Sequence, residues 1–493
     1  MTTSKIAQHE WKLIAFIVLV AFVVRLYRIN YPLADWHSWR QSDTASVTRE
    51  YLKHGIDLLH PTYQDLSTIP NNLNNAQHGY RMVEFPFINA FTAVVLKVIP
   101  VLPLVPTSRF LSNLVSLGTL LSLYFLVRNL SGKRVAVVTA IMFAVLPYSV
   151  YYSRTILPEP YMLFFSTFSL LGFSNWLSTK NLKWLLVSAV GLSLALLLKP
   201  FVAFLAPVYL GLILFQFKTI KDVQKFLSAQ FFLGLISYAL IAFIPLYYWR
   251  KWIAQYPEGI PALTWLFNSN GIRFRPAWFR WLGYERLTKM FLGYIGILFL
   301  PLAFVRISRD KVVYLFWWLS IALFFSVIAT GNVQHDYYQN LMTPIVCISI
   351  SLGSWELLKI LTNLLSSQKI ALGIVVSLNV GMLLLAWQQL KGNFNVNHWD
   401  YVEAGQVVDR LTPTDAKVIA PADGDTYFLF QTNRTGWPIG VDIEDKIQKG
   451  ATIYVSTNYD DEAHDLENRY TVIEKTPVYI IIDLTKPSTT PLN

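Results

Sequence analysis

Apolar stretches about as long as a lipid bilayer is thick recur through the first 390 residues, and this feature limits the fold more than any other. A helix needs about 20 mostly apolar residues to cross the hydrocarbon core. Only 14% of the residues are charged, whereas average soluble domains carry about 25%. The pattern therefore predicts a polytopic α-helical membrane protein with eleven transmembrane helices. Their predicted bounds are 11–28, 107–127, 134–151, 159–178, 182–198, 201–217, 227–249, 290–305, 312–329, 340–358 and 369–388.

A further apolar segment, 86–104, is shorter and is interrupted by Pro100 and Pro103. Proline lacks the backbone N–H and disrupts a helix interior. We expect this segment to form a helix that lies at the membrane interface and does not cross the bilayer.

The net charge of +11 lies largely in short loops between the apolar stretches. Cytoplasmic loops of membrane proteins carry an excess of Lys and Arg, so we predict a plasma (inner) membrane protein with a cytoplasmic N-terminus and no nucleic-acid partner. The outer side then receives the long loops 30–106 and 250–289 and the chain from 391 onward. The basic residues assigned to the inner loops are Arg128, Lys133, Arg134, Lys180, Lys183, Lys218, Lys221, Lys225, Arg306, Arg309, Lys311, Lys359 and Lys369.

The composition changes after Trp387, where short apolar runs alternate with polar segments. We predict a membrane domain over 1–390 and a small extracytoplasmic α/β domain over 391–493. The predicted strands are Ala416–Pro421, Ala451–Ser456 and Val478–Asp483, and the predicted helices are Asp400–Arg410 and Ile443–Gln448.

Carboxylates, cations and aromatic residues concentrate on the predicted outer side. Five separate segments supply them. If these residues only made the loops polar, we would expect them on both sides of the membrane. This combination suits sugar transfer from a lipid phosphate. Such a reaction needs a carboxylate to take a proton from the acceptor. It also needs Arg or Lys to stabilise the phosphate leaving group. The polar residues in question are Asp35, His37, Arg40, Gln41, Asp43, Arg49, Glu50, Arg81, Glu84, Arg154, Glu159, Lys199, His335, Asp336, Tyr337 and Tyr338.

Together these motifs resemble the C-type (GT-C) glycosyltransferases, and more closely the bacterial branch related to protein mannosyltransferases and the lipid A aminoarabinose transferase. The resemblance covers about 1–390. It implies a polyprenyl-phosphate-linked sugar donor, amphipathic helices in the first outer loop, and inversion at the anomeric carbon. The motifs are Trp39-Arg40-Gln41-Ser42-Asp43-Thr44 with Arg49-Glu50, Glu84-Phe85-Pro86, Arg154-Thr155-Ile156-Leu157-Pro158-Glu159, Lys199-Pro200 and His335-Asp336-Tyr337-Tyr338.

The resemblance also implies roles for single residues. Asp43 matches the acidic residue of the first outer loop, which makes it the expected base, with Asp35 as the alternative. Glu84 matches a catalytic glutamate before proline, and Lys199 matches a cation that meets the donor phosphate. The remaining expected substrate-binding residues are His37, Arg40, Arg81, Arg154, Glu159, His335, Tyr337 and Tyr338.

Other interpretations of the same residues stay open at this point. Asp43 could cap a helix that begins near Ala45, and Arg154 or Lys199 could extend to the head groups. No spacing signature supports a metal site, so no cofactor is certain and a divalent metal stays open. The alternative function is a membrane transporter or lipid flippase for a glycan or lipid precursor. The sugar is open, and so is the acceptor, which could be a lipid, a glycan or a protein.

The predicted topology can be tested with reporter fusions at Lys221 and Asn393. We expect opposite signals, because the first position belongs to a basic inner loop and the second to the outer chain. Equal signals would overturn the predicted map.

Overall fold

The computed structural model describes residues 8–67, 78–217 and 228–488, so Lys218, Lys221 and Lys225 of a predicted inner loop lie outside the described residues. The chain forms two compact units. Unit 1 comprises Met1–Ile29, Phe110–Arg250 and Leu263–Gly392, and unit 2 comprises Asn30–Arg109, Lys251–Ala262 and Asn393–Asn493.

Unit 1 is helical in its described residues. In its long apolar helices the backbone N–H and C=O groups hydrogen-bond to each other, as a lipid environment requires. The α-helices that lie wholly or mainly in unit 1 are Gln8–Val24, Leu104–Ser131, Lys133–Val145, Pro147–Tyr152, Glu159–Thr179, Leu182–Leu198, Ala206–Gln216, Ala229–Ile253, Trp265–Asn268, Pro276–Phe279, Phe299–Ala303, Arg309–Val327, Ala329–Gln334, Thr343–Leu365 and Gln368–Leu390. The 3₁₀ segments are Pro200–Leu205, Ile295–Leu298 and Asp336–Met342, and Arg280–Phe291 is a π-helix.

All eleven predicted transmembrane segments overlap helices of the structure. Within the described ranges, five helical segments are long and apolar enough to cross a bilayer, or six if one bent pair counts as a span. The chain is thus a multi-pass membrane protein, while the count of eleven spans stays a prediction. The five segments are Leu104–Ser131, Ala229–Ile253, Arg309–Val327, Asp336–Leu365 and Gln368–Leu411.

The predicted span 290–305 is not one straight helix. Pro276–Phe291 and Ile295–Ala303 meet at 107°. Gly293 lies at the bend with φ +45°, and a Cβ on this residue would come within 2.1 Å of the Met382 carbonyl oxygen. Glycine therefore allows the bend to pack against the backbone of Gln368–Leu390, a contact that hydropathy alone does not reveal.

The segment 86–104 contains the helix Phe87–Val98. Asn89, Ala93 and Leu96 are buried, whereas Phe91, Val94 and Val98 are exposed. This face of exposed apolar side chains suits an amphipathic helix at a membrane interface, and that location stays a prediction.

Unit 2 contains a five-stranded sheet. The strands are β1 Lys417–Ile419, β2 Thr435–Trp437, β3 Ala451–Ser456, β4 Tyr470–Lys475 and β5 Ile480–Pro487. Their order in the sheet is β2-β1-β3-β5-β4. β1 pairs in parallel with β2 and β3, and β5 pairs antiparallel with β3 and β4. The helices of unit 2 are Ser38–His54, Phe87–Val98, Trp399–Leu411, Tyr427–Gln431, Ile443–Gln448 and Asp461–Arg469.

The first loop adds to the free edge of this sheet. Gly436 in β2 donates its N–H to Gln64 O (2.9 Å) and accepts from Leu66 N (2.8 Å). A Cβ on Gly436 would lie 1.8 Å from Val418 O, so glycine is what permits close pairing on both sides of β2. The chain from 393 onward therefore shares one compact unit with 30–109, and the predicted domain boundary at 390 stays a prediction.

Candidate active site

The helix Ser38–His54, called the first-loop helix below, is polar in sequence yet largely buried. Buried polar groups need hydrogen-bonding partners, so this helix is a framework for ordered polar contacts. It begins after His37, whose backbone is left-handed at φ 57°, and His37 packs its ring against Trp36 (4.9 Å). Asp43 lies in the second turn, so the interpretation of Asp43 as a helix cap is wrong.

Asp43 is held at both carboxylate oxygens. Oδ2 lies 3.1 Å from Arg81 Nη2, and Oδ1 accepts a hydrogen bond from the Thr426 hydroxyl at 2.8 Å. The side chain is only 6% exposed. An ionised carboxylate offers about four lone-pair sites, so these two contacts orient Asp43 and leave acceptor capacity for a proton.

Arg40 and Glu84 form a second pair in unit 2. The Arg40 guanidinium donates to the Glu84 carboxylate, and Nη1 lies 3.1 Å from Thr44 Oγ1. Their side chains are 6% and 13% exposed. Two residues that the sequence assigned to the site are therefore joined to each other within this unit.

Asp35 has different partners. Arg109 Nη2 lies 3.1 Å from Asp35 Oδ1, and Gln41 Nε2 donates to the same oxygen at 3.0 Å. The Asp35 side chain is 1% exposed and that of Arg109 is 0%. Removing one partner of such a buried ion pair strongly destabilises a fold. The contacts therefore indicate that Asp35 stabilises the structure of unit 2.

The C-terminal segment 426–434 packs on the first-loop helix inside unit 2. Arg49 donates to Phe430 O (2.9 Å), Arg434 O (3.3 Å) and Gln64 Oε1 (2.8 Å). Gln64 in turn donates to Thr426 O at 2.8 Å. Sequence reasoning missed Thr426, which carries no motif and lies 383 residues from Asp43.

Two further carboxyls of unit 2 interact electrostatically with Asp43. Burial raises the pKa of Asp65 to about 7 and that of Asp425 to about 7, and the negative charge of Asp43 adds to both shifts. Tyr63 links this group, since its hydroxyl lies 3.3 Å from Asp65 Oδ2 and the Arg81 guanidinium lies 5.2 Å from its ring centroid. Below neutral pH both carboxyls are mostly uncharged, which limits repulsion of the Asp43 carboxylate.

Lys199 and Glu159 pair within unit 1. Lys199 Nζ lies 3.2 Å from Glu159 Oε1 and 5.6 Å from the Tyr338 ring centroid. Glu159 is the first residue of the helix Glu159–Thr179, where the helix dipole favours a negative charge. The structure thus brings together three residues that the sequence assigned to substrate binding.

The segment 335–338 forms an aromatic cluster in unit 1. The His335 ring stacks on Tyr337 (5.2 Å), and Tyr337 meets Tyr338 edge to face (4.7 Å). Asp336, which lies between His335 and Tyr337 in the sequence, accepts a hydrogen bond from the Tyr152 hydroxyl (2.5 Å). Its Oδ2 lies 3.5 Å from Arg286 Nη1.

Arg154 is also buried in unit 1. Its Nη1 lies 3.4 Å from Arg28 O, and its guanidinium lies 5.6 Å from the Tyr151 ring centroid. Across the described residues, no group of three or more His, Cys, Asp or Glu side chains is arranged to hold a metal ion.

Residues 86–249 match the family model described as dolichyl-phosphate-mannose-protein mannosyltransferase. A search of curated proteins finds none that matches this chain.

Solved structures share the fold. ArnT from Cupriavidus metallidurans, bound to undecaprenyl phosphate, is 14% identical with a TM-score of 0.67, covering 97% of this chain and 98% of that one. The Archaeoglobus fulgidus oligosaccharyltransferase in complex with Zn and sulfate is 12% identical with a TM-score of 0.55, covering 90% of this chain and 68% of that one. The mycobacterial arabinofuranosyltransferase AftD is 12% identical with a TM-score of 0.56, covering 97% and 42%. Residues 86–249 are therefore similar to the family described as dolichyl-phosphate-mannose-protein mannosyltransferase, and the chain shares the fold of ArnT over almost its whole length.

Proposed function

We propose that this protein transfers a sugar from a polyprenyl-phosphate-linked donor to an acceptor on the extracytoplasmic side of the plasma membrane. The undecaprenyl phosphate bound by ArnT, a protein of the same fold along almost its whole length, supports the donor class. The observation that carries the proposal is the carboxylate of Asp43, fixed by Arg81 and Thr426 in a buried polar helix.

In the proposed reaction Asp43 is the general base. Its carboxylate takes the proton of an acceptor hydroxyl, and the acceptor oxygen forms a bond with the anomeric carbon of the donor. The bond between that carbon and the phosphate oxygen breaks, and polyprenyl phosphate leaves with the electron pair. Attack from the face opposite to the leaving group inverts the anomeric carbon. Glu84 is proposed to act through Arg40, which it holds by an ion pair.

Asp43 suits this role better than Asp35. Both oxygens of Asp43 are oriented by single contacts, one ionic and one from a hydroxyl. Asp35 instead neutralises the buried Arg109, which also donates to Tyr31 O at 2.5 Å. Loss of the Asp35 charge would therefore destabilise the fold of unit 2, whatever its effect on the reaction.

The cations that we propose for the donor phosphate lie in unit 1. Lys199 is a compact charge with three donors, and its carboxylate partner Glu159 lies 3.2 Å away. Arg154 offers a planar guanidinium that can bind phosphate oxygens bidentately. We propose that these two cations bind the phosphate. We also propose that the aromatic cluster 335–338, whose Tyr338 ring contacts Lys199, lies next to the bound donor.

The base assignment predicts a selective loss of turnover in Asp43→Asn. The amide keeps the shape and can still accept from Thr426, so the variant should fold and bind donor. Turnover should fall by roughly 10²–10⁴, the usual contribution of general acid–base catalysis. The measurement is product formation by mass spectrometry, together with the melting temperature.

Asp35→Asn is the matched control for this prediction. It should lower the melting temperature because Arg109 loses its buried partner, and the protein that remains folded should keep turnover. Near-normal turnover in Asp43→Asn with loss in folded Asp35→Asn would show that the base is Asp35.

The donor assignment predicts that Lys199→Met weakens binding of undecaprenyl phosphate. Because this change also strands Glu159, the double variant Lys199→Met with Glu159→Gln removes both charges and should recover stability without recovering binding. Native mass spectrometry of lipid-bound protein measures the effect.

The control for this double variant is Lys289→Met with Glu285→Gln, which removes an ion pair of 3.2 Å elsewhere in unit 1. Undiminished lipid binding in the Lys199 double variant would remove Lys199 from the donor site.

A further inference from the structure

Unit 2 holds a cavity of about 430 Å³ that no step of the proposed transfer uses. Its volume lies within the range of about 300–1,000 Å³ typical of small-molecule sites. We call it the histidine cavity, since its lining includes Glu50, His54, Asp57, His60, His78 and Tyr80. Lys417 of β1 and Thr435 of β2 complete the wall on the side of the sheet.

Backbone pairing fixes the walls of the histidine cavity. Thr62 and Tyr80 form an antiparallel bridge, and Tyr63 N donates to Gly79 O at 2.8 Å. Gly79 has φ +58° and no room for a Cβ, which would lie 2.9 Å from Tyr63 O. The two segments that line the cavity, around Thr62 and around Tyr80, are therefore held in one register, and the site is preformed.

One wall presents aromatic faces. His78 stacks on Tyr80 at 5.3 Å with 27° between the planes, and Tyr80 meets Tyr256 edge to face at 5.4 Å. His60 uses both ring nitrogens, with Asp57 Oδ2 at 2.9 Å and the Tyr256 hydroxyl at 2.9 Å. The stacked rings of His78 and Tyr80 give this wall flat ring faces, and both ring nitrogens of His60 already have partners.

The lining of the histidine cavity also offers hydrogen-bond acceptors. Hydrogen bonding from His60 holds the pKa of Asp57 below its usual range, so this carboxylate stays charged. Glu50 is 4% exposed at its side chain, and its Oε2 lies 3.4 Å from His54 Nε2. Among the described residues, Oε1 of Glu50 accepts no hydrogen bond, although it is 3.7 Å from Arg49 Nε.

We propose that the histidine cavity binds a neutral saccharide, the glycan part of the acceptor. A sugar ring has hydroxyl groups that donate to carboxylates and a C–H face that packs on aromatic rings, and the lining of the cavity supplies both carboxylates and aromatic rings. The lining has one lysine, Lys417, which donates to Lys449 O. The carboxylates of Glu50 and Asp57 would repel a phosphate group, so the sugar of the phosphate-linked donor fits less well. This inference rests on the proposed function, since it assigns the saccharide to the acceptor of that reaction.

The test is saturation-transfer NMR on the full chain in lipid nanodiscs, because many detergents carry sugar head groups that would compete. The probes are methyl glucoside and N-acetylglucosamine, with mannose 1-phosphate as the anionic counterpart. We expect the neutral sugars to bind. Glu50→Gln and Tyr80→Ala should each weaken their binding by about tenfold, the loss expected from one hydrogen bond to a charged group or one comparable contact.

The matched controls are Glu403→Gln and Tyr470→Ala, which change the same residue types elsewhere in unit 2 and should leave sugar binding unaltered. Melting temperatures show whether each variant folds, and undecaprenyl phosphate binding is measured in parallel. No binding of either neutral sugar by wild type, equal losses in the controls, or a preference for mannose 1-phosphate would each overturn the inference. Sugar binding without lipid-phosphate binding would instead overturn the proposed function.

Discussion

The buried guanidinium of Arg49 joins three parts of unit 2: the first-loop helix, the segment around Gln64 and the C-terminal segment. It donates to backbone carbonyls of Phe430 and Arg434 and to Gln64, and its guanidinium lies 4.8 Å from the Phe430 ring centroid. Burial lowers the pKa of Arg49 to about 10, so the group still carries its charge at neutral pH. A charged donor bound to carbonyl oxygens makes a stronger hydrogen bond than a neutral one. The contact therefore holds the C-terminal segment on the first-loop helix.

The position of Asp43 follows from that contact. Gln64 accepts from Arg49 and donates to Thr426 O, and the Thr426 hydroxyl donates to Asp43. The C-terminal chain is thus part of the framework around the proposed base. Arg81 supplies the compensating charge, while the raised pKa values of Asp65 and Asp425 keep the surrounding negative charge low up to about neutral pH.

Sequence reasoning located most helices because their apolar pattern is local. The helices Leu182–Leu198 and Ile443–Gln448 and the strand Ala451–Ser456 have the predicted bounds. It missed β2, which has only three residues, and β4, which is half exposed and lacks a continuous apolar run. It also missed the bend at Gly293, which depends on a helix almost 90 residues away in the chain.

The candidate site was predictable only in part, for the same reason. Motifs named Asp43, Glu84 and Lys199, and whether these residues have the predicted roles stays open to experiment. Contacts such as Thr426 with Asp43 join positions far apart in sequence, and no local pattern encodes them. The residues lining the histidine cavity come from a helix end, two loop segments and two strands, so only the fold brings them together.

We propose above that this protein breaks the bond between a sugar and a polyprenyl phosphate. The most direct measurement follows the lipid itself, by mass spectrometry of purified protein in nanodiscs supplied with a panel of polyprenyl-phosphate sugars and membrane acceptors. If the enzyme breaks this bond, free polyprenyl phosphate should appear together with an acceptor that has gained one sugar, in equal amounts. Lipid that crosses the bilayer with its sugar still attached, and no glycosylated product, would contradict it and favour a flippase.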